Sequence, residues 1–289
     1  MGKIVRCISK DGSVFATAVD ATDLAARAEQ IHKTSAVVTA ALGRLLSAAS
    51  MMGYLLKGKE DSVTLRVKGD GPVGTVIAAA DSSGNVRGYV GNPVVELPLN
   101  EKGKLDVGGA VGKNGALYVM KDLGLKEPYI GSVPFISGEL AEEVTSYYAA
   151  SEQIPTVCSL GVLVNPDLTV RAAGGFLVQL LPFAPEETIE KVEQAIAAIP
   201  PVTKLLDGGV TPEDICRRAL AGFEVDLLDE ALVEYRCDCS REKVLRALAS
   251  LGEDELREMA EEKETEVTCH FCDAVYRFSG DELRALIRK

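Results

Sequence analysis

Hydrophobic and polar residues alternate over much of the first 180 positions, and this alternation predicts β-strands. Runs of this kind predict strands at 3–8, 12–18, 62–68, 74–81, 85–91, 115–121, 129–136, 157–164 and 169–180. Apolar residues at helical spacing predict helices at 22–32, 35–57 and 138–150. Turn sequences such as Gly69–Pro72 and Ser82–Asn85 separate neighbouring strands and are typical of hairpins. The pattern therefore predicts an α+β body over residues 1–181, with a largely antiparallel sheet.

The pattern changes after residue 181. Residues 185–198 carry apolar side chains at helical spacing, and Pro200–Pro201 ends that helix. Further helical pieces are predicted at 201–206 and 211–220, the second with Thr211 as N-cap. These helices have an apolar stripe but no core of their own, so we interpret residues 182–231 as a helical linker that packs on another surface. Residues 232–289 are polar and contain cysteines, and they are predicted to form a small third domain.

The longest apolar run, residues 35–56, raises the question of a membrane span. Arg44 lies near its middle, and a charge there costs roughly 2.5–3.5 kcal/mol at a bilayer centre. We therefore predict a buried helix. The first residues have neither the apolar region nor the cleavage site of a secretory signal, so the expected location is the cytoplasm.

Composition limits the possible functions. The 289 residues are 47% apolar and carry a formal net charge of −12, which disfavours binding to nucleic acid. Gly69, Gly71 and Gly74 match a dinucleotide-binding pattern, but the strand and turn that follow leave no room for the required helix. Residues 108–113 resemble a phosphate loop that is one residue short. We therefore expect no nucleotide.

Seven cysteines provide the candidate chemistry. Four of them form two close pairs, Cys237/Cys239 and Cys269/Cys272, separated by 29 residues. Paired cysteines in an intracellular chain are typical of a tetrahedral zinc site, so these four are the predicted ligands of one Zn²⁺ ion. His270 is the less favoured alternative ligand. Cys7, Cys158 and Cys216 are isolated and are expected to be buried small apolar residues.

The spacing of the pairs allows a second interpretation beyond a structural site. A disulfide across the single residue of Cys-x-Cys closes a tight ring and should be easily reduced, and Cys-x-x-Cys has the spacing of a redox dithiol. Each pair can close on itself, but such local disulfides would not replace the crosslink that zinc provides between residues 237 and 272. Oxidation should then unfold the small domain and deprive the linker of its packing partner. The pattern is consistent with a redox-controlled binder of unfolded chains.

At these residues the sequence resembles the redox-regulated heat-shock chaperones, the 33 kDa chaperonin family, over essentially its whole length. Besides the four cysteines, the matching segments are TAALGR at 39–44, GNP at 91–93, GKLD at 103–106, KDLG at 121–124, SGEL at 137–140 and AGGF at 173–176. The resemblance implies an ATP-independent holdase, not an enzyme, that is inactive when reduced and zinc-bound. It further implies that peroxide with heat, or hypochlorous acid, forms the disulfides Cys237–Cys239 and Cys269–Cys272 and releases zinc. The active form is expected to be a dimer that binds unfolded or oxidatively damaged proteins during stress.

Two other functions stay open at the sequence level. A constitutive zinc-ribbon interaction module would bind without oxidation. For nucleic acid it would need a basic surface, yet residues 234–289 hold ten basic and fourteen acidic residues. A thiol oxidoreductase would need one exposed cysteine of low pKa and turnover of a dithiol substrate.

Overall fold

The computed structural model describes residues 1–182 and 184–287. It divides into two compact units, Met1–Arg236 and Cys237–Lys289. The first unit contains two five-stranded antiparallel sheets, and the α+β fold class predicted from the sequence is confirmed.

The first sheet joins the two ends of the first unit. Its strand order is β10-β1-β2-β9-β8, and every neighbouring pair is antiparallel. The ladder between β1 and β10 brings residues 2–9 opposite residues 225–233, with a register shift between Arg6 and Cys7. Its strands are β1 (Gly2–Ser9), β2 (Val14–Asp20), β8 (Thr156–Val164), β9 (Val170–Leu180) and β10 (Val225–Val233).

The second sheet is built mainly from hairpins, as the alternating pattern predicts. Its order is β5-β4-β3-β6-β7, again antiparallel throughout. The segment with the three glycines is the turn between β3 and β4, where Gly74 has a φ of +68°. A hairpin turn, and not a strand-to-helix turn, therefore follows β3. The strands are β3 (Ser62–Gly69), β4 (Thr75–Asp81), β5 (Val86–Val90), β6 (Gly115–Asp122) and β7 (Tyr129–Pro134).

The long apolar run forms the central helix of the first unit. This helix, α2 (Ala36–Tyr54), packs against strands of both sheets, beside α1 (Thr22–His32). Its length and composition would suit a membrane span, but 89% of its apolar window is buried inside the protein. Arg44, the charge within the run, pairs with Glu139 at 2.6 Å. The predicted buried core helix is therefore observed.

Two shorter helices complete this core. They are α3 (Val107–Val111) and α4 (Leu140–Tyr147), and α4 continues as a π-helical turn at Tyr148–Glu152. The buried carboxylate of Glu143 accepts hydrogen bonds from the backbone N–H groups of Ile136, Ser137 and Gly138, which fixes the loop before α4.

A second apolar layer covers the opposite side of the first sheet. Three helices pack there, and their stripe includes Val192, Leu205 and Ile215. Helices thus occur where the segment 182–231 is predicted to be a helical linker, but Val225 already begins strand β10. Pairing with β1, more than 200 positions away in the chain, determines that conformation. The helices are α5 (Glu186–Ala198), α6 (Val202–Asp207) and α7 (Pro212–Ala219).

The second unit is small and has a small core. Its buried apolar residues are Leu248, Leu256, Ala260, Phe278 and Leu283. Ser240 caps the first helix through the Lys243 N–H, and Ser279 forms a capping box with Glu282. The elements are α8 (Arg241–Leu248), α9 (Glu253–Met259), the antiparallel pair β11 (Glu264–Thr268) and β12 (Val275–Ser279), and α10 (Gly280–Ile287).

Candidate metal centre

The four paired cysteines come together in the second unit. Cys237 and Cys239 lie just before α8, whose capped start fixes the direction of the chain after them. Cys269 and Cys272 lie in the turn that joins β11 to β12. The structure therefore gathers two segments that are separated by a helical region and a strand.

The tight turn orients the second pair. The Cys269 N–H donates to the Ala274 carbonyl at 2.9 Å, which closes the hairpin. The Cys269 carbonyl in turn accepts from the N–H groups of Cys272 at 3.3 Å and Asp273 at 2.9 Å. Asp273 has a φ of +58°, a left-handed conformation that lets the chain reverse direction directly after Cys272.

The geometry of the four sulfurs fits a tetrahedral metal. All four Sγ atoms lie within 4.8 Å of one another. The Sγ atoms of Cys237 and Cys269 are 3.7 Å apart, and those of Cys239 and Cys272 are 3.4 Å apart. Zinc–sulfur bonds of about 2.3 Å in a tetrahedron place the sulfurs about 3.8 Å apart. The cysteines are all free thiols, and each is partly exposed.

The donor set also suits zinc in chemical terms. Four sulfurs favour zinc or an iron–sulfur centre over harder cations such as magnesium or calcium. A closed set of four thiolates leaves no position for a substrate, so zinc there would supply a crosslink and no catalytic chemistry. His270 lies in the same turn and is exposed, and the cluster found among the residues that the structure describes consists of the four cysteines.

Tyr276 extends the site beyond the four cysteines. Its hydroxyl donates a hydrogen bond to Cys239 Sγ at 3.0 Å. Sequence reasoning missed this residue, because it lies on β12 outside both cysteine motifs. The one signal in the sequence is its position four residues after Cys272, in a strand that begins at the turn.

The sulfurs differ in acidity when no metal is bound. Burial raises the pKa of Cys237 far above its usual range and raises that of Cys272 to about 11. Burial also acts against ionisation of Cys239, but hydrogen bonds from Tyr276 and Cys272 outweigh it, so the pKa of Cys239 falls below its usual value. Cys239 is therefore better prepared than Cys237 and Cys272 to carry negative charge in the metal-free protein.

The other three cysteines lie in the first unit, outside this centre. Cys7 and Cys216 are fully buried, as expected for small apolar residues, and Cys158 is partly buried. Burial raises the pKa of Cys158 far above its usual range.

Comparison with known proteins agrees with this architecture. The family model described as Hsp33 protein matches residues 2–279. A 33 kDa chaperonin of Lachnoclostridium phytofermentans is 47% identical over 287 residues, covering 99% of this chain and 98% of the relative. A 33 kDa chaperonin of Geobacillus sp. is also 47% identical, covering 98% of this chain and 96% of the relative.

A solved structure extends the similarity to the fold. The crystal structure of the 33 kDa chaperonin (heat shock protein 33 homolog) from Thermotoga maritima superposes with a TM-score of 0.89 at 40% identity. The alignment covers 99% of this chain and 97% of that one. With the family match over most of the sequence, these similarities show that the chain belongs to the Hsp33 family.

Proposed function

We propose that this protein is an ATP-independent, redox-regulated holdase of the cytoplasm and not an enzyme. The observation that carries the proposal is the cluster of Cys237, Cys239, Cys269 and Cys272 in a unit whose core, over the described residues 237–287, has five buried apolar residues. The chaperonin names of the similar proteins support the general function. The chemistry of the four cysteines supports the proposed switch.

The reduced cluster would act as a crosslink. One Zn²⁺ ion held by the four thiolates would tie the segment before α8 to the turn between β11 and β12. Small domains with little core depend on such crosslinks for stability. The second unit would therefore be folded and the chaperone inactive under reducing conditions.

Oxidation would remove the crosslink. In each pair, two thiolates lose two electrons to hydrogen peroxide, one S–S bond forms, the O–O bond breaks, and the two oxygens take up protons from the solvent and leave as two water molecules. The products are the disulfides Cys237–Cys239 and Cys269–Cys272, which leave no thiolate to hold the metal. Because both disulfides are local, neither connects the two segments, and the second unit would unfold.

The binding surface would come from the apolar layer of the first unit. Helices α5, α6 and α7 bury apolar side chains against the first sheet. The segment directly before Cys237 is held to β5 and to the end of β4. The Arg236 N–H donates to the Val86 carbonyl of β5 at 2.8 Å, and the Arg236 side chain pairs with Asp81 of β4 at 2.7 Å. Unfolding just after this segment would loosen β10 and the linker helices. Apolar surface would then become available to unfolded or oxidatively damaged proteins, with a homodimer as the expected active form.

The test couples metal content to activity in the purified protein. Zinc per chain and suppression of aggregation of an unfolded enzyme are measured before and after peroxide at elevated temperature, and again after reductant and zinc. We expect one zinc ion to be lost per chain as activity appears, with both changes reversed at the end. Cys158→Ala, which alters a cysteine outside the cluster, is the matched control and should behave like the wild type.

Two outcomes would contradict the proposal. Zinc that stays bound after oxidation, or equal activity in both states, would leave a constitutive zinc-ribbon module as the function. Catalytic reduction of a disulfide substrate such as insulin would indicate a thiol oxidoreductase.

A further inference from the structure

A second pair of sulfurs lies in the first unit, away from the metal centre. Cys7 belongs to β1 and Cys216 to α7, and both side chains have no exposed area. Both side chains belong to the same buried apolar cluster, between the first sheet and the linker helices. Cys216 Sγ also lies 3.9 Å from the carbonyl oxygen of Val5, which precedes Cys7 by two residues on the same face of β1.

The surrounding residues allow a close approach of α7 to the sheet. Ala16 lies opposite Cys7 in the ladder between β1 and β2, and Ala18 lies opposite Val5. Ala219 follows Cys216 by three residues, on the same buried side of α7. Small side chains in both layers reduce the distance between helix and strand, and a disulfide requires Cα atoms closer than about 7 Å.

We propose that Cys7 and Cys216 form a second thiol–disulfide couple, which ties the linker helix α7 covalently to strand β1. The oxidant is hydrogen peroxide. The Cys7 thiolate attacks a peroxide oxygen, an S–O bond forms, the O–O bond breaks, and the departing hydroxide takes a proton to become water. The Cys216 sulfur then displaces the hydroxyl group of the sulfenic acid, so that the S–S bond forms and a second water leaves.

Local electrostatics assign the roles within the pair. The neighbouring thiol of Cys216 lowers the pKa of Cys7, and the positive charge of Arg217 acts in the same direction. The neighbouring thiol of Cys7, together with burial, raises the pKa of Cys216. Cys7 is therefore the attacking sulfur and Cys216 the resolving one.

Burial makes this couple respond to movement of the helix. Because neither side chain is exposed, peroxide reaches Cys7 only through a local opening beside α7, one small enough to leave Cys216 and Arg217 next to Cys7, and the disulfide forms as the opening closes. This part of the inference rests on the proposed function. Oxidation of the Cys7–Cys216 couple has the opposite effect to oxidation of the metal centre. Oxidation of the four clustered cysteines removes a long-range crosslink, whereas oxidation of Cys7 and Cys216 adds one and limits release of the linker.

Peptide mapping tests the bond directly. The full-length protein is treated with hydrogen peroxide at elevated temperature, alkylated and digested without reductant. We expect a linked pair of peptides containing residues 7 and 216 in the wild type and in Cys158→Ala, and its complete loss in Cys216→Ala. The linked form should raise the unfolding midpoint of the first unit by on the order of 5 °C, and dithiothreitol should reverse the shift.

The wild type alone can overturn the proposal. Absence of the linked peptides after zinc has been lost, or their presence without a shift of the midpoint, would refute the tether, and neither measurement requires that Cys216→Ala folds. Both measurements are also independent of chaperone activity, so a failure of the proposed function would be recognised separately. If both proposals hold, Cys216→Ala should suppress aggregation more strongly than the wild type after prolonged oxidation.

Discussion

At the scale of single residues, the hydroxyl of Tyr276 contacts the metal centre from outside the four cysteines. It donates to Cys239 Sγ at 3.0 Å, and such partners of metal ligands typically change metal affinity by about 10–100-fold when removed. We expect Tyr276→Phe to bind zinc more weakly and to lose it faster under peroxide. A competition titration with a chromophoric chelator measures the affinity. Tyr118→Phe, which removes a hydroxyl from β6 of the first unit, is the control, and equal affinities in the two variants would contradict the role of the hydroxyl.

Asp273 tests whether the turn itself positions the second pair of cysteines. Its φ of +58° causes steric strain in a residue with a β-branched side chain, whereas glycine adopts this φ without strain. Asp273→Val should therefore destabilise the zinc-bound second unit by about 1–2 kcal/mol, while Asp273→Gly should match or exceed the wild type. Thermal unfolding monitored with zinc release measures both. Similar destabilisation by valine and glycine would mean that the aspartate side chain matters and the backbone conformation does not.

At the scale of elements, the sequence predicts most of the first unit because apolar and polar residues alternate along its strands, and the apolar residues are the buried ones. Strand β3, for example, buries Val63, Leu65 and Val67 on one face. Strand β10 was not predicted, because LLDEAL at 227–232 favours a helix and its pairing partner lies at the other end of the unit. Pairing with β1 outweighs the local preference.

The sequence likewise predicts one part of the metal centre and not another. The spacing of the four cysteines marks them as a group, but the hairpin of β11 and β12 that carries the second pair was not recognised. Both strands are short and lie among polar and acidic residues, so the alternation of apolar and polar positions that marks a strand is weak there. Tyr276 could not be assigned to the site without that hairpin.

The ion pair of Arg6 with Asp229 adds to the backbone ladder that attaches β10 to β1. Arg6 Nε donates to Asp229 Oδ1 at 2.8 Å, and a second guanidinium nitrogen contacts Oδ2, so the pair is bidentate. We expect Asp229→Asn to cost about 1 kcal/mol, since the pair is partly exposed. Hydrogen exchange of the β10 amides measures the effect, and we expect it to be faster in the variant. Asp226→Asn, an exposed aspartate on the same strand, is the control and should leave exchange unchanged.

This ion pair also gives the strand a defined pH dependence. The hydrogen bond from Arg6 holds the pKa of Asp229 below its usual value, although burial opposes the shift. A carboxylate with a lowered folded pKa stabilises the protein above its unfolded pKa of about 3.9, and this contribution is lost as the pH falls through the folded value. The difference in β10 exchange between wild type and Asp229→Asn should therefore shrink below about pH 4. A difference that persisted there would exclude the ion pair as its cause.

At the scale of the whole molecule, the two units differ in what stabilises them. The first unit has a continuous core around α2, with apolar residues from both sheets, and a second apolar layer under the linker helices. The second unit has five buried apolar residues and the four-cysteine cluster. In a protein built in this way, we expect that the second unit can unfold while the first stays folded.

Removal of the metal without oxidation separates loss of the crosslink from formation of disulfides. With a strong chelator and reductant present, we expect amides throughout 237–287 to exchange at the rate of an unfolded chain, because the small core cannot replace the crosslink. Amides of β3 and β6 should keep their protection, and zinc should restore that of the second unit. Hydrogen exchange followed by mass spectrometry resolves the two units in one experiment. Protection of 237–287 in the chelated protein would show that the core alone folds this unit, and oxidation would then have to act by a route other than loss of the metal.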